Sequence, residues 1–227
     1  YLQELGKIQD SHISEITNRI SVSENKIVRR FEYVVNGVSI NIEDEEAESL
    51  RSLPYVKAVS KNYVMKKLMP YSVPHMGIEE IKTQITDIDG SGIKIAIIDT
   101  GTDLTHPQLQ HVSGRTQEFC FCQAYSDTGY SRDSCCPGGV DSSQGTGASD
   151  DDEGHGTHVA GVIFAENDGD SYEGIAPQAN FVSIKALDSE GSGTNGDIIE
   201  AIDQAVSENV DIISMSLGMS TKPFDPV

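Results

Sequence analysis

The feature that most constrains the fold is an alternation of apolar strands and amphipathic helices that begins at Gly92. The first apolar run is interrupted only by Lys94, as expected for a strand that is covered on both faces. This alternation predicts an α/β fold, in which right-handed crossovers build a parallel sheet flanked by helices. Ligands of such sheets bind at the carboxyl ends of the strands. The predicted elements are strand 93–98, helix 154–165, strand 181–187, a helix from Asn195 as its N-cap through Val206, and strand 210–215.

The segment before this alternation predicts a smaller α+β unit. Its apolar residues change from helical spacing to the alternation that is typical of strands. The dipeptide Asn36-Gly37 is a strong signal for a short hairpin turn, so we expect two strands to meet there. The predicted elements are helix 2–20, strands 26–35 and 38–42, helix 43–53, which ends at Pro54, and strand 55–59.

The balance of acidic and basic residues changes after the small unit. The chain of 227 residues has a formal net charge of −20, and residues 1–68 hold ten basic and ten acidic side chains. The whole excess of acid therefore lies in residues 69–227, which indicates two folding units with different roles. We expect no nucleic-acid partner because phosphate would be repelled, and no membrane span because no apolar run reaches about 18 residues. No targeting signal is readable from Tyr1 onward.

Asp99 and His155 are the first candidates for chemistry. Asp99 follows the apolar run directly, so a rigid strand would hold its carboxylate in the crevice above the sheet; a turn or helix cap is the alternative. His155 lies at the start of a helix, whose positive end disfavours the imidazolium and keeps the ring able to accept a proton. A zinc site with His158 is disfavoured, because the glutamate and the histidine spacing of H-E-x-x-H are absent.

Four stretches resemble, in order and spacing, the subtilisin-like serine proteases, and the resemblance covers residues 72–220. They are IAIIDTGTDLTHPQL, GHGTHVAGVI, GIAPQANFVSIKAL and VDIISMSLG. The resemblance implies that Asp99 and His155 are the aspartate and the histidine of a catalytic triad. It also implies two backbone edges that clamp an extended peptide substrate, for which main-chain groups supply affinity and side-chain pockets supply selectivity. These edges are Gly191-Ser192-Gly193 and Ser216-Leu217-Gly218.

The neutral segment resembles the inhibitory propeptides that precede such protease domains. This resemblance implies a ferredoxin-like domain at 1–68, whose first strand would precede Tyr1. Its carboxyl tail would remain in the active-site groove of the catalytic domain at 69–227. The tail ends in MKKL, so cleavage after Leu68, with Met69 as the new amino terminus, would place a lysine beside the acids at 150–153 and favour basic peptides.

Two residues that the family needs are not found in the printed sequence. These are an oxyanion-hole asparagine and a serine in Gly-Thr-Ser. We therefore expect the propeptide and the Asp/His half of a serine endopeptidase, which alone cannot complete acyl transfer. The alternatives are a non-catalytic inhibitor or binding module on a degenerate scaffold, and an aspartic protease. The second rests on the repeated Asp-Thr-Gly at 99–101 and 127–129, but the predicted helices disagree with an all-β fold.

Four cysteines lie within an insertion at about 115–150 of the catalytic domain: Cys120, Cys122, Cys135 and Cys136. They allow three pairings, of which Cys120 with Cys122 and Cys135 with Cys136 is sterically poor, so both cross-pairings stay open. A four-thiolate metal site is the rival interpretation, disfavoured because the spacing is not C-x-x-C. Disulfides are typical of proteins outside the cytosol, which predicts a secreted protein.

Calcium is the one cofactor that the resemblance implies. Residues 166–170 are rich in oxygen ligands, and the length of this segment matches the calcium loop of subtilisin. Gln108 occupies the position at which the family has a carboxylate. We expect its carbonyl, together with Asp168 and Asp170, to supply ligands, since calcium accepts mixed oxygen donors. A solvated acidic loop is the alternative interpretation.

Overall fold

The computed structural model describes residues 2–20, 26–31, 34–67, 85, 88–127, 130–166 and 173–218, of which 2–6 and 64–67 are described by their backbone. The chain divides into two compact units between Tyr63 and Val64. Among the helices in these ranges, none combines the length and the apolar character of a bilayer-crossing segment.

The first unit packs two helices against a two-stranded antiparallel sheet. Its elements are α1 (Leu2–Arg19), β1 (Ile27–Phe31), β2 (Gly37–Ile40) and α2 (Asp44–Leu50). Ile16 of α1, Ile20 directly after α1 and Leu50 of α2 are buried, and Ile40 of β2 packs on them. The start of α2 is stabilised by a capping box, in which Glu43 and Glu46 accept each other's backbone amides.

Two predictions for this unit are wrong. Gly37 pairs with Phe31 inside the ladder, so Asn36-Gly37 is not a two-residue turn and the connection is longer. Residues 55–59 form no strand: Tyr55 lies in a turn, where its ring stacks on His12 with 4.2 Å between centroids. The side chains of Tyr55 and Val59 pack on the core, so their apolar spacing reflects burial and not a ladder.

The second unit contains ten strands and three helices among its described residues. The strands are β3 (Val64–Lys67), β4 (Lys94–Asp99), β5 (Thr116–Phe121), β6 (Tyr125–Asp127), β7 (Tyr130–Arg132), β8 (Ser142–Gln144), β9 (Asn180–Lys185), β10 (Ser192–Thr194), β11 (Ile212–Ser214) and β12 (Leu217–Gly218). The helices are α3 (Gln110–Ser113), α4 (His155–Phe164) and α5 (Asn195–Ser207). The five elements predicted from the alternation are all present, with ends shifted by one or two residues.

The main sheet has the strand order β11-β4-β9-β5-β8. The first four strands run parallel, and β8 is antiparallel to β5. Ile95 and Ile97 of β4 pack with residues of α4, whereas Ala96 and Ile98 pack with residues of α5. Because successive side chains of a strand point to opposite faces, α4 and α5 lie on opposite faces of the sheet. The predicted α/β fold is confirmed, and Asp99 ends a strand that is fixed from both sides.

The segment 107–153 is more than loops, contrary to its interpretation from the sequence. β5 lies inside the main sheet between β9 and β8, and its Phe119, Cys120 and Phe121 are buried. The polar and cysteine-rich neighbours of this short apolar run hid a strand whose partners are distant in sequence. The N-cap of α5 is also displaced by one residue, because Thr194 and not Asn195 accepts the hydrogen bond from a first-turn amide.

Candidate active site

The carboxylate of Asp99 and the imidazole of His155 meet at the carboxyl end of β4. Asp99 is the last residue of that strand, and His155 is the first residue of α4. Nδ1 of His155 lies 2.7 Å from Oδ1 of Asp99, and the two side chains are 4% and 1% exposed. This hydrogen bond favours the imidazole tautomer with its proton on Nδ1, whose Nε2 can accept a proton.

A glycine after the histidine lets α4 approach the end of β4. A Cβ at Gly156 would lie 2.1 Å from the carbonyl oxygen of Gly101 and 3.1 Å from Cβ of Asp99, so no side chain fits there. The amide of Gly156 donates to Oγ1 of Thr100 at 2.9 Å, which ties the first turn of α4 to the residue after Asp99. The distance between Asp99 and His155 therefore depends on backbone packing.

The carboxylate of Asp151 organises the turn that leads into α4. It accepts hydrogen bonds from the amides of Glu153, Gly154 and Thr157 and from the Thr157 hydroxyl, at 2.5 to 3.1 Å. Burial alone would raise the pKa of Asp151, but these hydrogen bonds outweigh burial and hold the pKa below its ordinary value. Asp151 is therefore an anion at neutral pH, placed at the positive end of a helix.

Burial also governs the ionisation of Asp99. Loss of solvent raises its pKa above the ordinary value, while hydrogen bonds from His155 and from the Thr100 amide, the latter at 2.7 Å, oppose that rise. A carboxylate in this position stabilises the imidazolium that forms when His155 takes up a proton, because the two opposite charges attract strongly where water is excluded. The pair can thus act as a general base.

A fully buried lysine, which was not identified from the sequence, braces the same end of the sheet. Lys185 pairs with Asp99 in the ladder between β4 and β9 and is 1% exposed. Its ammonium donates to the carbonyl oxygens of Thr100 at 2.7 Å and Leu187 at 3.0 Å, and it forms an ion pair with Asp152 at 2.6 Å. Its signal in the sequence is a lone cation within a strand of mostly apolar residues.

The two predicted substrate edges lie on either side of β3, in a separate sheet with the order β10-β3-β12. Both edges run antiparallel to β3, and in this register Gly193 is opposite Met65, while Ser192 and Gly218 are both opposite Lys66. We call the space between β10 and β12 the groove. The backbone of residues 64–67 pairs with Ser192 and Gly193 on one side and with Leu217 and Gly218 on the other, while the predicted edge residues Gly191 and Ser216 directly precede β10 and β12.

Most of the acids before His155 already have partners. Asp151 binds the turn, Asp152 pairs with Lys185, and Glu153 accepts the amide of His155 at 2.9 Å. Asp150 is exposed. Lys185 neutralises the charge of Asp152, but neutral amides do not cancel the charge of the carboxylates that they bind, so the predicted attraction of basic peptides to residues 150–153 does not depend on Asp152.

The four cysteines form one of the two cross-pairings that the sequence left open. Cys120 is joined to Cys136 and Cys122 to Cys135, with Cα atoms 5.7 Å and 5.2 Å apart. Because both bonds together use all four thiols, the rival four-thiolate metal site is wrong. The strands β6 and β7 pair as an antiparallel hairpin between the two halves of each bond. We call residues 120–136 the stapled hairpin.

Four predicted site residues lie outside the described residues, namely the calcium ligands Asp168 and Asp170 and the cleavage-site residues Leu68 and Met69. Gln108, the third predicted ligand, is described. Its carbonyl accepts the amide of Glu166 at 3.0 Å, which places Gln108 beside the start of the segment that contains the two aspartates. In the described ranges, no three His, Cys, Asp or Glu side chains are grouped as a metal site would require.

Comparison with known families agrees with this geometry. Residues 90–225 match the family model of Peptidase S8, the subtilase family. The chain belongs to the subtilase family. Residues 3–67 of this subtilase match the family model of peptidase inhibitor I9, in agreement with the resemblance of the neutral segment to inhibitory propeptides.

The subtilase chain is similar to proteins from bacteria and plants. It is 33% identical to Subtilisin E of Bacillus subtilis over 205 residues, which are 89% of this chain and 47% of that protein. It is 30% identical to the Minor extracellular protease Vpr of the same species over 217 residues, 88% of this chain and 25% of that protein. It is 28% identical to Subtilisin-like protease SBT2.2 of Arabidopsis thaliana over 249 residues, 95% of this chain and 29% of that protein. The chain thus spans less than half the length of these relatives.

Proposed function

We propose that this chain supplies the propeptide and the Asp/His part of the active site of a serine endopeptidase that hydrolyses peptide bonds. The observation that carries the proposal is the buried hydrogen bond of 2.7 Å between His155 and Asp99 in a subtilase chain. Acyl transfer of this type needs a base that is oriented by an acid and can reach a nucleophile. The proposal assigns the nucleophilic serine and the oxyanion asparagine to other residues of the complete gene product.

In the proposed reaction, His155 takes the proton of the serine hydroxyl on Nε2 while the serine oxygen attacks the peptide carbonyl. Nδ1 stays bonded to Asp99, whose negative charge stabilises the imidazolium. His155 then gives the proton to the leaving amine, and a water molecule attacks the acyl-enzyme with the same base to release the acid. Thr100 and Lys185 contribute by holding the backbone around Asp99.

Polypeptides are the proposed substrates, bound as an added strand in the groove. The support is the backbone of residues 64–67, which pairs with both edges of the groove. In the proposal, residues 1–68 are an inhibitory propeptide and residues 69–227 belong to the catalytic domain. After cleavage at Leu68, the tail would remain bound in the part of the groove that holds the residues before the scissile bond. The propeptide would therefore act as a bound product and inhibit the enzyme until it dissociates.

A secreted location and a calcium ion complete the proposal. The two disulfides are typical of proteins from oxidising compartments outside the cytosol. Calcium would be held by oxygen atoms of Gln108, Asp168 and Asp170 and would link the segment after α4 to the segment before α3. The support is the backbone hydrogen bond from Glu166 to Gln108, which already joins the two segments.

Hydrolysis of an unfolded protein by the complete gene product tests the proposed activity. We expect cleavage that an organophosphate reagent for serine abolishes and that a pepstatin-type inhibitor leaves unchanged. Cleavage that resists the organophosphate would contradict a serine mechanism. A folded protein that cleaves nothing after removal of its propeptide would favour the inhibitor or binding module instead.

Two measurements on the same preparation test the remaining parts of the proposal. Sequencing of the processed amino terminus should begin at Met69, and any other start would remove the proposed cleavage site. Addition of a calcium chelator should lower the midpoint of thermal unfolding, because an ion that binds only the folded protein stabilises it. An unchanged midpoint would remove calcium from the proposal.

A further inference from the structure

The stapled hairpin carries an arginine that is buried beside the groove edge β10. Arg132 ends β7, its side chain is 6% exposed, and it forms an ion pair with Asp197, whose side chain is 0% exposed. Nη1 of Arg132 donates to the carbonyl oxygen of Ser192 at 3.1 Å, and Nε donates to that of Gln123 at 3.1 Å. One guanidinium therefore joins the stapled hairpin, β10 and the start of α5.

Asp197 extends the contact of Arg132 along β10. The carboxylate oxygen that pairs with Arg132 also accepts the amide of Thr194 at 3.1 Å and its hydroxyl at 2.6 Å. The other oxygen accepts the amide of Gln123 at 3.1 Å. Asp197 lies in the first turn of α5, where the positive end of the helix stabilises an anion. One buried ion pair thus holds β10 at both of its ends, Ser192 and Thr194.

A second side chain of the stapled hairpin reaches the turn before β10. The hydroxyl of Tyr130 donates to Oδ2 of Asp188, and Oδ1 of Asp188 accepts the amides of Glu190 and Ser192, each at 2.9 Å. Burial and the hydrogen bond to Asp188 raise the pKa of Tyr130, so the phenol keeps the proton that it donates. The stapled hairpin therefore contacts residues that hold β10 through two side chains, Arg132 and Tyr130.

From the register of β10 and β3 we infer that these bonds lie on the side of β10 that faces away from β3. In an antiparallel pair, successive residues alternate between those that exchange backbone hydrogen bonds with the partner strand and those that do not. The backbone groups of Ser192 and Thr194 are bound by side chains of the second unit. The backbone groups of Gly193 are thereby left to pair with the residue opposite, which is Met65.

We propose that Arg132 is a positioning residue for peptide binding in the groove. Its contacts with Ser192 and Asp197 hold β10 in place. Because β10 is held in place, Gly193 binds the peptide residue that lies opposite it more tightly. The inference rests on the proposed function and adds that the contribution of Arg132 to binding depends on the length of the peptide substrate. Met65 is three residues before Leu68. Peptides with four residues on the acyl side therefore reach β10 opposite Gly193 and depend on Arg132, whereas peptides with two residues do not.

Amide hydrogen exchange in the chain itself tests the positioning without any turnover. The variant combines Arg132→Met with Asp197→Asn, which removes both charges so that no unpaired charge is left buried. We expect the amides of Ser192 and Thr194 to exchange at least about tenfold faster, while those of β4 stay unchanged. Unchanged exchange at both amides in the folded variant would overturn the proposal.

Two single variants accompany the double variant. Arg115→Met is the matched control, because Arg115 also donates to a main-chain carbonyl, that of Pro177, but is not among the residues that bind β10. It should leave the exchange of Ser192 and Thr194 unchanged. Arg132→Lys keeps the charge but loses the forked geometry of the guanidinium, so it should give an intermediate increase. It also provides the test if the double variant does not fold, and wild-type exchange in Arg132→Lys would then overturn the proposal.

Kinetics of the complete gene product test the consequence for substrates. In Arg132→Lys, KM for a peptide with four residues before the scissile bond should rise about tenfold, the effect of one lost hydrogen bond or slightly more. KM and kcat for a peptide with two such residues should stay unchanged. An equal decrease of kcat/KM for both peptides would mean that Arg132 has a general structural role, and it would overturn the inference. A wild-type enzyme without turnover would contradict the proposed function alone, because the exchange experiment is independent of activity.

Discussion

The catalytic pair and the stapled hairpin are held in place by different kinds of contact. Asp99 and His155 are positioned by backbone that approaches so closely that a Cβ at Gly156 would overlap the carbonyl of Gly101. The stapled hairpin is held by two disulfides, and its Arg132 reaches across 65 residues of sequence through its side chain. The proposed base is thus positioned by close backbone packing, whereas the groove edge is positioned by hydrogen bonds and an ion pair of side chains.

The largest expected effect is the loss of turnover when the catalytic pair is broken. In the complete gene product, His155→Ala should lower kcat by about 10⁶ and Asp99→Asn by about 10⁴, because the first removes the base and the second leaves it in the wrong tautomer. His158→Ala is the matched control, since His158 is exposed on the same helix. Steady-state kinetics measure all three variants. Near-wild-type turnover in either of the first two would break the assignment.

A smaller effect tests whether backbone packing sets the geometry of the pair. Gly156→Ala should lower the free energy of unfolding by about 3 kcal/mol, because the added Cβ would lie 2.1 Å from the Gly101 carbonyl. It should also lower kcat by about 100-fold, because His155 would move relative to Asp99. Denaturant unfolding and kinetics measure the two effects.

Gly161→Ala is the control for this prediction, because Gly161 lies in the same helix with nothing within 4 Å of an added Cβ. It should stabilise the protein by up to about 1 kcal/mol, the propensity gain of alanine over glycine. Equal effects of the two substitutions would mean that close packing at Gly156 does not position the histidine.

Removal of one disulfide tests whether the stapled hairpin is independent of the catalytic pair. Replacement of both Cys122 and Cys135 by serine should lower the free energy of unfolding by about 3 kcal/mol, as expected for a cross-link between residues 13 apart. The kcat for a short peptide should stay unchanged, because the pair is held through Thr100 and Gly156. A loss of kcat as large as that of Gly156→Ala would show that the two regions are not independent.

The smallest expected effect concerns acid stability. Because the pKa of Asp151 is lowered by folding, its contribution to stability is present above its unfolded pKa of about 3.9 and is lost as the pH falls through the folded value. Asp151→Asn should therefore cost about 2 kcal/mol at pH 7, and this difference from wild type should shrink below about pH 4. Urea unfolding at pH 7 and pH 3 measures it.

The exposed Asp150 provides the control for acid stability, and Asp150→Asn should change stability by less than about 0.5 kcal/mol at either pH. If Asp151→Asn lowered the free energy of unfolding equally at both pH values, the charge of the carboxylate would not be the stabilising feature.

Those parts of the fold that depend on contiguous residues could be predicted from the sequence. The buried run of β4 and the apolar helix α4 have the expected bounds within one residue, because each carries its own periodicity. The contact between Asp99 and His155 could be predicted because the sequence motifs around both residues match those of the subtilase family. The same reasoning failed for residues 55–59, whose apolar spacing reflects packing on the core of the first unit.

Features that depend on distant partners could not be predicted. β5 is recognisable as a strand through its neighbours β8 and β9, which lie far along the chain. Lys185 and Arg132 are buried because carbonyl oxygens and a carboxylate surround them, and neither set of partners is adjacent in sequence. A lone cation in an apolar strand and a basic residue between cysteines were the available signals.

The most direct test of the central claim is nitrogen NMR of the His155 ring in the chain itself. The account predicts that Nδ1 carries the proton at neutral pH, that this proton exchanges slowly with water, and that Asp99→Asn moves the proton to Nε2. Assignment of the signals follows from their disappearance in His155→Gln. A wild-type ring protonated on Nε2, or a spectrum of His155 that Asp99→Asn leaves unchanged, would contradict the account.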